Sequence, residues 1–114
     1  MAKISKELED KINEFQVLQN QLQMVATQRQ QSKVQSDDMQ DAITKLDNVT
    51  GKVYRYSGSL FLESTKEDAK KDLEERVEVL KVRDTALSKQ EERVKKRLEE
   101  LRKDIESSAG LGGG

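Results

Sequence analysis

The 114-residue sequence contains no cysteine, no histidine and no proline. Without cysteine and histidine the chain has no disulfide, no thiol nucleophile and no imidazole base, and the usual zinc ligands are missing. The six glycines form neither a phosphate-binding loop nor a dinucleotide-binding turn. We therefore expect no enzymatic activity, no metal and no cofactor. The absence of proline removes the main helix-breaking residue and favours long helices.

The sequence also lacks a long hydrophobic run. No apolar stretch approaches the roughly 18 residues that span a bilayer, and the charged N-terminus has no signal-peptide core. The 21 basic and 22 acidic residues nearly cancel, so net charge draws the chain to neither nucleic acid nor anionic membrane. We expect a cytoplasmic protein that binds neither. The basic run at residues 93–97 leaves a nucleic-acid adaptor as an alternative, although the neighbouring glutamates favour a solvated helix face.

What the sequence does contain is charge, at 38% of residues against 33% hydrophobic, and a heptad spacing of its apolar residues. This composition is typical of long helices packed along a narrow seam. In two arms, about residues 4–47 and 65–107, alternating steps of three and four predict coiled-coil helices. The seam positions are Ile4, Leu8, Lys11, Phe15, Leu18, Leu22, Val25, Arg29, Ser32, Ser36, Met39, Ile43 and Leu46, then Leu73, Val77, Leu80, Asp84, Leu87, Glu91, Val94, Leu98, Leu101 and Ile105.

Between the arms, about residues 52–63 switch to aromatic and β-favouring residues and predict one β-hairpin. With Ser57-Gly58 as its turn, Arg55 would lie opposite Leu60. A short connector makes the two helices antiparallel neighbours. The hairpin should expose apolar side chains on both faces, with Val53, Leu60 and Leu62 on one and Tyr54, Tyr56 and Phe61 on the other.

A lone two-stranded hairpin is marginal in water, and its edges are unpaired. Since both helices use their seams on each other, we expect other chains to cover the hairpin, by pairing into a shared sheet or barrel. The alternative is a loop that folds back on its own coiled coil. We predict a single domain over residues 1–114, with Ser64 or Thr65 as N-cap of the second helix and a flexible tail at 108–114.

The segment VYRYSGSLFLESTKEDAKKDLEERVEVLKVRDTALSKQEERVKKRLEEL, which follows a long helix, resembles the β subunits of the prefoldin family. The resemblance covers the whole chain. It implies an ATP-independent co-chaperone that captures unfolded polypeptides and delivers them to a group II chaperonin. It also implies a hexamer of two α-class and four β-class subunits, joined through β-barrels. The six apolar hairpin residues would then be barrel residues.

The apolar residues near the two ends of the chain are predicted to form the client-binding surface at the coiled-coil tips. Helix ends fray, and apolar side chains on such ends offer an adaptable surface. The family resemblance likewise implies that clients are held at the tips. A coiled-coil spacer that oligomerises without binding clients is the alternative function. The tip residues are Met1, Ile4, Leu8, Ile12, Leu98, Leu101 and Ile105.

Overall fold

A computed structural model describes residues 5–110 of the chain. Helix α1 covers Lys6–Leu46, strands β1 and β2 cover Val53–Ser57 and Leu60–Ser64, and helix α2 covers Lys66–Ser108. The mainly helical fold class, two long helices joined by one central antiparallel hairpin, is confirmed. Within the described range, neither helix is apolar enough over a sufficient length to cross a membrane.

Each helix begins at a capping hydroxyl. The Leu8 amide donates a hydrogen bond to Ser5 Oγ at 3.1 Å, and the Asp68 amide donates one to Thr65 Oγ1 at 3.0 Å. Both bonds satisfy an amide that the first turn of a helix leaves without a partner. Of the two residues that the sequence offered as N-cap of α2, Thr65 is therefore the one used.

The chain divides into two compact units. The first, here called the terminal unit, comprises Met1–Arg29 and Ala86–Gly114, and the second, the hairpin unit, comprises Gln30–Thr85. In the terminal unit α1 and α2 run antiparallel, since Lys11 pairs with Asp104 near the chain ends and Arg29 pairs with Glu91 further in.

The predicted heptad seam is confirmed by burial. Every predicted seam residue within the described range is buried or half-buried, including the polar positions Ser32 and Asp84. Leu101 has 0% of its surface exposed. Valine and leucine side chains at heptad spacing form a continuous stripe along a helix, so packing two such stripes removes them from water together. The buried apolar side chains are Val25, Ala69, Val77, Leu80, Val94 and Leu101.

In the hairpin unit, the end of α1 is tied to the start of α2 by two lysines. Lys66 Nζ donates to the carbonyl oxygen of Asp47 at 2.9 Å, and Lys70 Nζ lies 3.5 Å from Asp47 Oδ1. The first bond uses a carbonyl just beyond the last turn of α1, where cations are favoured. These contacts hold the two helices together at the base of the hairpin.

The predicted hairpin register was wrong by two residues. Tyr56 pairs with Phe61 and Arg55 pairs with Leu62, where the sequence had suggested Arg55 opposite Leu60. The two-residue turn is therefore Gly58-Ser59 and not Ser57-Gly58. Because side chains alternate with a period of two, a shift of two residues leaves every side chain on its predicted face.

Candidate functional site

The turn of the hairpin explains its register. Gly58 has a φ of +60°, and Ser59 does not have a positive φ. A two-residue hairpin turn with a positive φ at its first central residue only is of type II′, and glycine is the preferred residue there. Placing Gly58 first in the turn makes Ser57 and Leu60 the flanking pair. The positive φ of Gly58 thus sets the register of the two strands.

The two faces of the hairpin carry different chemistry. Directly opposite residues project to the same face, so Tyr54, Tyr56 and Phe61 share one face and Val53, Leu60 and Leu62 share the other. On the aromatic face the rings of Tyr56 and Phe61 lie 5.0 Å apart, tilted by 56°. This spacing is favourable for aromatic pairs and stiffens the hairpin. We call these six residues the hairpin surface.

The hairpin surface is mostly in water. Phe61 is 73% exposed and Leu62 is 44% exposed, while Val53 is half-buried. Scattered single apolar residues are normal on a protein surface, but a contiguous group of large ones marks an interaction site. Over residues 5–110 the sheet has two strands, so each strand also has an outer edge with backbone groups free to pair.

Ion pairs hold the hairpin at its base. Arg55 Nη1 lies 3.8 Å from Asp72 Oδ1 of α2, and Lys52 Nζ lies 3.8 Å from Glu63 Oε1 across the strands. Arg55 shares its face with Leu60 and Leu62, so this is the face that is linked to α2. Our sequence prediction did not identify the Arg55–Asp72 pair, because the placement of the hairpin against α2 cannot be read from the sequence.

The five predicted tip residues inside the described range, Leu8, Ile12, Leu98, Leu101 and Ile105, all belong to the terminal unit. Met1 and Ile4 lie outside the described residues. Leu101 is fully buried, and the other four are half-buried. The Lys11–Asp104 pair, at 3.7 Å, holds the α1 segment alongside the α2 segment that carries them. We call these five residues the tip group; client binding by it stays a prediction.

A second ion pair joins the helices beside the tip group. Arg97 donates from Nε to Glu14 Oε2 at 2.9 Å and from Nη2 to Glu14 Oε1 at 3.0 Å. This two-bonded arrangement fixes orientation better than a single contact. The hydrogen bonds from Arg97 lower the pKa of Glu14 below its ordinary value, and they raise the pKa of Arg97 in turn.

The end of α2 is reinforced by ion pairs within the helix. Arg102 donates to Glu99 Oε1 at 2.6 Å and to Glu106 Oε1 at 2.7 Å, one turn away on either side. Hydrogen bonding from Arg102 lowers the pKa of Glu99. Ion pairs at this spacing stabilise a helix even without contacts to other elements. The sequence analysis did not single out Arg102 or its two glutamates.

Comparison with known proteins places this arrangement in a family. A family model described as "Prefoldin subunit" matches residues 9–110. Among curated relatives, "Prefoldin subunit beta" of Pyrobaculum arsenaticum is 32% identical, covering 100% of this chain and 94% of that protein. "Prefoldin subunit beta" of Pyrococcus furiosus is 29% identical, covering 95% and 94% of the two chains.

A solved structure shares the fold. The crystal structure of the prefoldin beta subunit from Thermococcus strain KS-1 superposes with a TM-score of 0.84 at 29% identity, covering 95% of this chain and 96% of that one. The likeness therefore includes both helices and the hairpin between them. The sequence resemblance to β-class subunits is confirmed by these matches. This chain belongs to the prefoldin family of chaperone subunits, which assemble with other prefoldin subunits.

Proposed function

We propose that this subunit is an ATP-independent holdase. It captures unfolded polypeptides at its tip group and delivers them to a group II chaperonin. It works in the cytoplasm as part of a hexamer of two α-class and four β-class subunits. The full-length match to prefoldin β subunits is the observation that carries this proposal.

Assembly through the hairpin is supported by its exposed apolar surface. Six apolar residues lie on two faces of a two-stranded sheet, and an isolated sheet of this size is marginal in water. Burying one large apolar side chain contributes about 1.5–3 kcal/mol. Pairing of hairpins from several subunits would remove both faces and both edges from water. A closed barrel meets these requirements, because closure leaves no edge strand.

Client capture at the tip group is supported by its composition. It combines Leu8 and Ile12 on α1 with Leu98, Leu101 and Ile105 on α2, and aliphatic side chains bind apolar segments without regard to their sequence. No charge or catalytic group is needed for such binding. Several tip groups in one assembly would add weak contacts by multivalency.

The test is an aggregation assay with a denatured client, an α-class partner and no nucleotide. The intact assembly should suppress aggregation at near-stoichiometric ratios. A variant trimmed by about ten N-terminal residues and of everything beyond about residue 97 should lose suppression while it still assembles. Removal of residues 111–114 alone is the matched control and should change nothing.

Two outcomes would reject parts of this proposal. A trimmed assembly that protects the client as well as the intact one would place client binding away from the tip group. An intact assembly that never protects any client would favour the coiled-coil spacer. The chaperonin step is tested separately, by transfer of a labelled client from the assembly to a group II chaperonin.

A further inference from the structure

The most enclosed side chain of the seam belongs to the proposed client-binding surface. Leu101 is fully buried, and the four other residues of the tip group are half-buried. An apolar side chain without exposed surface cannot contact a client. If Leu101 takes part in client binding, α1 and α2 must first separate at this residue.

Two ion pairs between the helices bracket Leu101 along α2. Arg97, four residues before Leu101, binds Glu14 through two hydrogen bonds of 2.9 and 3.0 Å. Asp104, three residues after Leu101, lies 3.7 Å from Lys11. Separation of the helices at Leu101 must therefore break one of these pairs or both. Ion pairs at this level of exposure are weak individually, so they resist opening without preventing it.

The two helix segments differ in how well each supports itself. Arg102 forms hydrogen bonds of 2.6 and 2.7 Å with glutamates on both sides of it in α2, and Arg97 also donates to Glu100 at 3.3 Å. Within the described residues, the ion pairs at the start of α1 are longer, with Lys6–Asp10 at 3.4 Å and Lys11–Glu7 at 3.6 Å. We therefore expect α2 to keep its helical form better than α1 when the helices part.

We propose that the client-binding surface is latent, because the start of α1 covers it. The Glu14–Arg97 and Lys11–Asp104 pairs, here called the latch, set the fraction of time for which Leu98, Leu101 and Ile105 on α2 are uncovered. The occupant of the uncovered surface is an apolar segment of an unfolded polypeptide, which replaces Leu8 and Ile12 of α1. This inference rests on the proposed function and adds how access to the surface is controlled.

The latch has a quantitative consequence. When only the open form binds, the apparent dissociation constant is the intrinsic constant divided by the open fraction. Weakening the latch raises the open fraction, so client affinity should increase although no client contact has changed. Added salt screens exposed ion pairs, with a Debye length of about 10 Å at 0.1 M and about 3 Å at 1 M. Latch mutations should therefore have less effect at high salt.

The first experiment closes the latch covalently. Lys11→Cys and Asp104→Cys introduce two thiols into a chain that has none. The variant is assembled with a cysteine-free α-class partner and treated with a short bifunctional thiol reagent that contains a cleavable disulfide. Cross-linked assemblies should lose suppression of client aggregation, and reductive cleavage should restore it. Full suppression by the cross-linked assembly would overturn the proposal.

The second experiment weakens the latch. Glu14→Gln removes the carboxylate that binds Arg97, whereas Asp10→Asn makes the same change of charge at an exposed residue that pairs within α1. We expect Glu14→Gln to increase the apparent affinity for a fluorescent unfolded client about two- to fivefold at low salt. Asp10→Asn should leave it unchanged. Equal affinities for the two variants, or weaker binding by Glu14→Gln, would contradict the latch.

The two experiments separate this inference from the proposed function. If the unmodified assembly does not bind clients at all, the holdase function fails. If the unmodified assembly binds clients, trimming of the tips abolishes binding, and cross-linking has no effect, then only the latch fails.

Discussion

The hairpin surface and the tip group carry similar side chains in opposite states. Phe61 of the hairpin is largely exposed, whereas Leu101 in the terminal unit is fully buried. Both groups consist of large apolar residues in a chain that is 38% charged. Leu101 is buried, and the other four residues of the tip group are half-buried, because the same chain supplies two complementary heptad stripes. The hairpin has no second apolar layer in its own unit within residues 5–110.

This difference indicates how each region is used. A surface that its own chain covers becomes available only when the chain opens, so its exposure can be controlled. The hairpin surface, which no segment within residues 5–110 covers, has the exposure expected of an assembly contact. The hairpin surface and the tip group therefore resemble each other in composition and differ in what covers their apolar side chains.

The largest expected effect is at the hairpin surface. Replacing Phe61 and Leu62 together by Ser removes one large apolar side chain from each face. Because we propose that other subunits bury these side chains, the variant should no longer assemble, while circular dichroism should retain its helical signal. Light scattering measures the loss of the oligomer.

A matched pair of substitutions controls for the general loss of apolar surface. Val79→Ser with Val82→Ser removes two exposed apolar residues from α2, at 59% and 64% exposure. This variant should assemble normally. An assembly that persists in the Phe61 and Leu62 variant would show that the hairpin is not the contact between subunits.

The next effect concerns the seam. Leu101→Ala removes a fully buried side chain and should destabilise the helical pair by about 2–5 kcal/mol, since the cost of such a change includes the cavity left behind. Urea unfolding followed by helical circular dichroism measures it. Val82→Ala, at an exposed position of the same helix, should stay within about 0.5 kcal/mol of the parent chain. Similar losses for both would mean that the seam is not closed at Leu101.

A smaller effect is expected at the start of α2. Thr65→Ala removes the hydroxyl that accepts the Asp68 amide and should cost about 1 kcal/mol, as for other N-caps. Ser64→Ala is the control, because the Ser64 hydroxyl donates to the Thr65 carbonyl at 3.1 Å and does not cap the helix. Thermal unfolding of the two variants should differ accordingly. A larger loss of stability for Ser64→Ala than for Thr65→Ala would show that Ser64, and not Thr65, caps the helix.

The smallest effect is a dependence on pH in the terminal unit. Hydrogen bonds from Arg97 hold the pKa of Glu14 below 4.5, so the folded state binds this proton less readily than the unfolded state. The resulting stabilisation is complete above about pH 4.5 and is lost as the pH falls through the lowered pKa. Glu14→Gln cannot titrate and should lose less stability between pH 6 and pH 3 than the parent chain. Parallel pH curves would contradict this role of Glu14.

Much of the fold was predictable, because heptad spacing indicates both that a segment is helical and which of its faces packs against a second helix. Every described seam residue, including the polar Ser32 and Arg29, lies at least half-buried where the periodicity predicted it. The position of the hairpin followed from its β-favouring residues, and Thr65 was one of two candidate caps. These features depend on local residue chemistry and on the heptad period, and both can be read from a single sequence.

The remaining features depend on backbone dihedral angles and helix stagger, which cannot be read from a single sequence. The register was missed by two residues because Ser57-Gly58 and Gly58-Ser59 both resemble hairpin turns, and only the φ of Gly58 decides between them. The Glu14–Arg97 pair was missed because charged residues flank the seam all along both helices. Which of them meet depends on the stagger of the helices, so the latch became visible only with the structure.

Hydrogen exchange of the hairpin backbone measures whether other subunits cover the hairpin surface. Mass spectrometry of peptides that span residues 53–64 reports on this chain alone, even in a mixed assembly. With an α-class partner present, these amides should exchange far more slowly than in the Phe61→Ser, Leu62→Ser variant, because their edges pair and their faces lose contact with water. Exchange that is equally fast in the assembled complex and in the variant would show that other subunits do not cover the hairpin.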